Sequence, residues 1–90
     1  MLDINYTTQF KKDYKKIKRQ HYDLVILHDV IELLVNEKEL NLKYKNHQLI
    51  GNWKNHNECH LGTDWLLIYR ISRKKLYLER TGSHSELFKK

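Results

Sequence analysis

The sequence predicts an α+β fold, two helices on one face of an antiparallel-rich sheet, in the order β-α-α-β-β-β with a short C-terminal tail. Three observations predict it. Apolar residues recur at helical spacing only before residue 40, and beyond it the period falls to that of strands. The second half also holds a nearly continuous apolar run, Trp65 to Ile71, between two shorter strand-like stretches. At 90 residues the chain suits one domain, residues 1–90, with a single small core.

Leu2-Asp3-Ile4-Asn5-Tyr6 alternates apolar and polar and reads as a strand. Thr7 or Thr8 then supplies a hydroxyl to cap a helix whose narrow apolar stripe is Phe10, Tyr14 and Ile17. Asp23 caps a second helix, Leu24 to Asn36, apolar over more than one face and so the more buried of the two. Asn41 to Trp53 reads as a polar loop with Gly51 as its flexible joint. Glu58 to Leu61 is a strand and Gly62-Thr63-Asp64 a turn. Trp65 to Ile71 is a central strand buried on both faces. Ser72 to Lys74 turns the chain into a last strand, Lys75 to Thr81. Short connections make these three an antiparallel meander. Ser83 to Phe88 has room for one helical turn at most.

Lys and Arg total 17 against 11 acids, a formal charge of +6. The surplus is local: residues 11–19 carry six basic groups and one acid, whereas 23–39 carry five acids and one Lys. A polyanionic partner fits such a balance, nucleic acid or an acidic protein. The one cysteine, Cys59, excludes an intrachain disulfide and suits a reducing compartment. No apolar run exceeds the five residues Trp65 to Tyr69, so neither a signal peptide nor a membrane span is expected, and the expected location is the cytoplasm.

Chemistry centres on histidine. Imidazole, with an unperturbed pKa near ~6.5, serves as either base or acid around neutrality. RNA cleavage without a metal can use that pairing: one group takes the 2′-hydroxyl proton and another protonates the leaving 5′-oxygen. His47, His60 and His84 lie in a loop, a strand and the tail of the basic half. Strand parity puts Glu58 and His60 on one face and Cys59 on the other. His21 and His28 belong to the helical half and read as ordinary surface or packing residues, while Trp53, Trp65 and Tyr69 read as core. His56, Cys59 and His60 do not make a metal site, because His56 and His60 on one strand stand ~13 Å apart. No metal and no cofactor are expected.

Four blocks in order resemble the YafQ branch of the RelE toxins: Tyr44 to Lys54 (with Asn46-His47-Gln48-Leu49), Glu58-Cys59-His60, Asp64 to Tyr69, and Arg80 to Phe88. Phe10-Lys11-Lys12-Asp13 extends the resemblance to the first helix. It implies a small RelE-like fold and a type II toxin, an endoribonuclease that cuts mRNA in the ribosomal A site. Its implied partners are mRNA, the ribosome and a DinJ-like antitoxin, with operator DNA reached only through the antitoxin. Carried over by position, His47, His60, His84, Asp64, Glu58 and Arg80 are the candidate catalytic residues. His84 is the general acid, His47 or His60 the base, and Arg80 a phosphate contact. Asp64 and Glu58 orient imidazoles or the ribose. Phe88 supports a nucleobase, and Lys11, Lys12, Lys15, Lys16, Lys18 and Arg19 are candidates for RNA backbone contact. Many relatives have Asp-His-Pro-Leu where this chain has Asn46-His47-Gln48-Leu49, which removes an acid beside His47. Two other readings remain at this point: a ParE-like toxin that poisons gyrase without RNA cleavage, and a basic RNA-binding module without turnover.

Overall fold

Thr7 ends the first strand and begins the first helix at once. Its hydroxyl accepts the Phe10 N–H at 3.0 Å and donates to the Glu79 carbonyl at 3.1 Å. In this structure, a computed structural model that describes residues 1–88, β1 (Asp3–Tyr6) leads into α1 (Thr8–Arg19) and α2 (Leu24–Val35). Asp23 caps α2 by accepting from Val25 N–H at 3.1 Å. Then come β2 (His47–Gln48), β3 (Asn57–Gly62), β4 (Trp65–Ser72), β5 (Lys75–Gly82) and a one-turn helix α3 (His84–Leu87).

The strands form one sheet in the order β1-β5-β4-β3-β2. The predicted meander is there, β3 to β5 all antiparallel, and β1 adds in parallel to the outer side of β5, Asp3 opposite Lys75 and Tyr6 opposite Leu78. Arg73 and Lys74, both at positive φ (51° and 62°), form the two-residue β4–β5 turn whose twist suits a hairpin. β2 was not foreseen. The predicted loop holds two 3₁₀ turns, Leu42–Tyr44 and Gly51–Trp53, and between them His47 pairs with Glu58 and Gln48 with Asn57. A two-residue strand carries no periodic signal, so only its partner reveals it.

Phe10 and Ile17 of α1 and Leu27, Val30, Ile31, Leu34 and Val35 of α2 pack on one sheet face against Cys59, Leu67, Tyr69, Leu76 and Leu78. On the opposite face Leu66 and Ile68 meet Leu87, with Leu49 and Trp53 packed at the side. β4 is therefore buried on both faces from Trp65 to Tyr69, and α3 lies on the face the long helices leave open. Among the described residues, no helix is long and apolar enough to cross a membrane.

Candidate active site

Alternation along β3 sends Cys59 into the helix-side core, fully buried, and turns Glu58 and His60 to the other face. Burial lifts the Cys59 thiol to about 12, with the Glu58 charge adding to the rise, so the sulfur stays protonated and inert. The pairing of β2 with β3 sets His47 directly across from Glu58. Glu58 is 5% exposed, and its Oε1 lies 3.3 Å from His47 Nε2 and 3.4 Å from His60 Nε2. The Nδ1 of His47 is 2.7 Å from the Lys45 carbonyl, which orients the ring. Beside it, Asn46 accepts a hydrogen bond from the buried Tyr69 hydroxyl at 2.8 Å.

The third imidazole arrives from the end of β5. Gly82, at φ +155°, turns the chain so closely that a Cβ there would stand 3.2 Å from Glu86 Oε1. Ser83 and Glu86 then form a capping box that starts α3. His84, its first residue, donates its backbone N–H to Asp64 Oδ1 at 3.0 Å and sets its ring Nδ1 2.8 Å from the same oxygen. Those two bonds hold the Asp64 carboxyl below its ordinary range. With Nδ1 engaged, Nε2 is the nitrogen left for a substrate.

The result is a row of rings. His47 to His60 is 6.0 Å between centroids, His60 to His84 is 5.8 Å, and His84 to Phe88 is 6.5 Å. Trp53 continues the row, 6.4 Å from Phe88 and perpendicular to it, and His56 closes it 5.1 Å beyond. Of the predicted site residues, His47, His60, His84, Glu58, Asp64 and Phe88 thus share one face. Trp53 was read as core and is half-buried there, its ring at the margin of the second apolar cluster. His21 lies in a turn, and His28 stacks on Tyr14 of α1, away from this face.

Arg80 is set apart. It shares the cross-strand rung His47–Glu58–Ile68–Arg80, two strand spacings or about 10 Å from Glu58. Its guanidinium is held by Asp13 of α1, Nε to Oδ2 at 2.7 Å and Nη2 to Oδ1 at 3.1 Å. Asp13 was not singled out in the sequence, although a signal for its burial is there. It is the lone acid of residues 11–19, and it falls three residues after Phe10 and four before Ile17, on the buried stripe of the helix. Five of the six basic residues of α1 border one or other of two clefts, and Lys18 borders neither. Lys12, Lys16 and Arg19 border a cleft of about 400 Å³ shared with Arg80, and Lys11 and Lys15 border another beside Tyr14 and His28. Lys16 is paired with Glu86 of α3, which helps to depress the Glu86 carboxyl.

One group of side chains, other than the trio weighed in the sequence, has the spacing to hold a metal. The trio weighed in the sequence is split because Cys59 faces the core. Instead His47, Glu58 and His60 have donor atoms all within 4.8 Å of one another, an arrangement that depends on the unforeseen β2. Zinc with bonds of ~2.1 Å sets tetrahedral ligand atoms about 3.4 Å apart, and the two His–Glu separations fit that spacing.

The family model for the bacterial toxin YafQ of type II toxin–antitoxin systems matches residues 2–89. The mRNA interferase toxin YafQ of Escherichia coli K12 is 41% identical over 87 residues, which is 96% of this chain and 95% of the relative. The YafQ chain in a crystal structure of the E. coli DinJ–YafQ complex superposes with a TM-score of 0.90 at 41% identity, covering 97% of both chains. A metal-bound toxin from Helicobacter pylori superposes with a TM-score of 0.92 at 44% identity, covering 98% of this chain and all of that one. A family match over nearly the whole length, on a sheet that brings the three histidines to one face, leads to one conclusion: the chain belongs to the YafQ family of type II toxins.

Proposed function

We propose that this toxin is an endoribonuclease that cuts mRNA on the ribosome by acid–base chemistry needing no metal, and that a DinJ-like antitoxin silences it. The observation that carries the reading is the row His47–His60–His84, with a carboxylate behind each end: Glu58 between the first two rings and Asp64 on the third. His47 or His60 takes the proton from a 2′-hydroxyl, and that oxygen attacks the adjacent phosphorus. His84, held at Nδ1 by Asp64, gives a proton from Nε2 to the departing 5′-oxygen. The products are a 2′,3′-cyclic phosphate, or its opened form, and a 5′-hydroxyl. Arg80, two strands across from Glu58, is the cation assigned to the charge that gathers on the phosphoryl oxygens, and Phe88, 38% exposed, offers its ring to a base. Operator DNA is reached only through the antitoxin. The 41% identity to an mRNA interferase supports the substrate class, and the complex of DinJ with a similar YafQ supports the partner.

Alanine at His47, His60 and His84, assayed for mRNA cleavage on programmed ribosomes, tests the reading. Loss of the general acid is expected to slow cleavage by about 10²–10⁴-fold. Parental cleavage by all three variants would sink the acid–base assignment, whereas no cleavage by the parent would favour a gyrase-poisoning or purely RNA-binding toxin. The His47–Glu58–His60 trio supports a second use for the same groups, in line with the metal-bound H. pylori toxin. A transition ion there would occupy the ring nitrogens that a base needs. Micromolar zinc or copper is then expected to inhibit cleavage, a chelator to restore it, and His47→Ala to weaken ion binding as read by calorimetry.

A further inference from the structure

The first helix and the sheet edge meet at a contact that the reaction scheme above leaves unused. β1 ends at Tyr6, opposite Leu78, so β5 continues beyond it with an open outer edge. Asp13 fills that place: its Oδ2 accepts the backbone N–H of Thr81 at 3.2 Å as well as the Arg80 Nε. Oδ1 takes the Arg80 Nη2 and, at 3.1 Å, the amide of Gln9. Only 7% of Asp13 is exposed. One carboxylate is thus shared between the last strand's edge and two parallel guanidinium bonds, the geometry that fixes the plane of an arginine most firmly. Three residues on, Lys16 grips Glu86 in the capping box that starts α3. Both contacts fall on the segment that carries Arg80 and His84.

We propose that Asp13 is a positioning residue for RNA cleavage, clamping the guanidinium plane of Arg80 so that its outer edge meets the transferring phosphoryl group. The proposal rests on the reading of Arg80 given above. Without the clamp, Arg80 is a flexible cation at the margin of the sheet, and the entropy of aiming it is added to the barrier at each turnover. A purely structural role, that of capping the β5 edge, makes a different prediction. Asparagine at position 13 keeps an oxygen for the Thr81 N–H but loses the charge and the paired acceptance from Arg80.

The experiment is a double-mutant cycle of D13N and R80A, read by single-turnover cleavage on programmed ribosomes, with ribosome affinity and thermal midpoint measured for each variant. D13N is expected to stay folded, bind the ribosome like the parent and cleave about 10- to 100-fold more slowly. The double variant should cleave no more slowly than R80A. Parental cleavage by D13N overturns the proposal, as does a double variant whose loss is the product of the two single losses. If R80A cleaves at the parental rate, the role given to Arg80 falls and the proposal with it, whereas an impaired R80A beside a normal D13N removes only the clamp. Should D13N not fold, D13E carries the same cycle: it keeps the charge but shifts the carboxylate by one methylene, and full activity there equally refutes the clamp.

Discussion

Replacing Tyr69 with phenylalanine removes one oxygen from the middle of β4, and its consequence should be felt at His47. The hydroxyl is buried, with Tyr69 only 1% exposed, and donates to Asn46 Oδ1 at 2.8 Å. Burial raises the phenol above its ordinary range, so it remains a donor throughout the neutral and alkaline pH of an assay. A neutral hydrogen bond of this kind contributes about 1 kcal/mol net. Asn46 is exposed, so water replaces the lost donor and the cost stays near the lower end, about 0.5–1 kcal/mol. For a domain of this size that is a fall of about 3–6 °C in the melting midpoint. Function should suffer more than stability. The bond anchors the residue next to His47 to the core strand, in a segment also held by the pairing of β2 and by Leu49, whose N–H meets the His56 carbonyl. A displacement of the ring near 1 Å costs up to about 10²-fold in rate. The assay is thermal denaturation together with single-turnover cleavage for Y69F, N46A and the double variant. Equal losses in all three are expected, since each removes the same bond. Additive losses, or Y69F with parental midpoint and parental rate, would refute the anchoring role.

Three further outcomes are expected. The Asp64 and Glu86 carboxyls both titrate below their ordinary range in the folded chain. Their contribution to holding α3 is therefore complete above the unfolded carboxylate values, about pH 4–4.5, and is lost as pH falls through the lower folded values. Thermal midpoints of the parent and of a D64N/E86Q variant should differ at pH 7 and converge by pH 2–3; a gap that persists in acid would contradict this. The Cys59 thiol, pushed up to about 12 by burial, should resist iodoacetamide at pH 8 in the native protein and react once denatured, as followed by mass spectrometry. Ala at Lys11, Lys12, Lys15 or Lys18 should lower the salt dependence of ribosome binding by about one counterion per lost phosphate contact; slopes unchanged across the set would remove α1 from the RNA interface.

The helices, the meander and the buried central strand were legible because each has a period or a cap that acts locally: Phe10, Tyr14 and Ile17, the Asp23 side chain, the run from Trp65. The parity that parts Cys59 from Glu58 and His60 is equally local. What could not be read depends on partners distant in sequence. β2 exists through Glu58 and Asn57, eleven and nine residues beyond their partners His47 and Gln48, and the parallel pairing of β1 has no local mark. The loss of an acid beside His47 pointed to a missing orienting group, yet Asn46 is held by Tyr69, and His47 is oriented by the Lys45 carbonyl and Glu58. Asp13 looked like one charge in a solvated basic run. It falls on the buried side of the helix, and the Arg80 guanidinium and the open edge of β5 explain why burial there is tolerable.

The seat of β5 between β1 and β4 has a temporal consequence. The opening strand can find its neighbour only across more than seventy residues of intervening chain, Asp3 beside Lys75, and closure over that distance is slow. A chain that stops short of Lys75 lacks the partner of β1, and Arg80 and His84 with it. On the proposed reading, the strand that completes the sheet is also the one that delivers the general acid, so an incomplete chain has nothing to cut with.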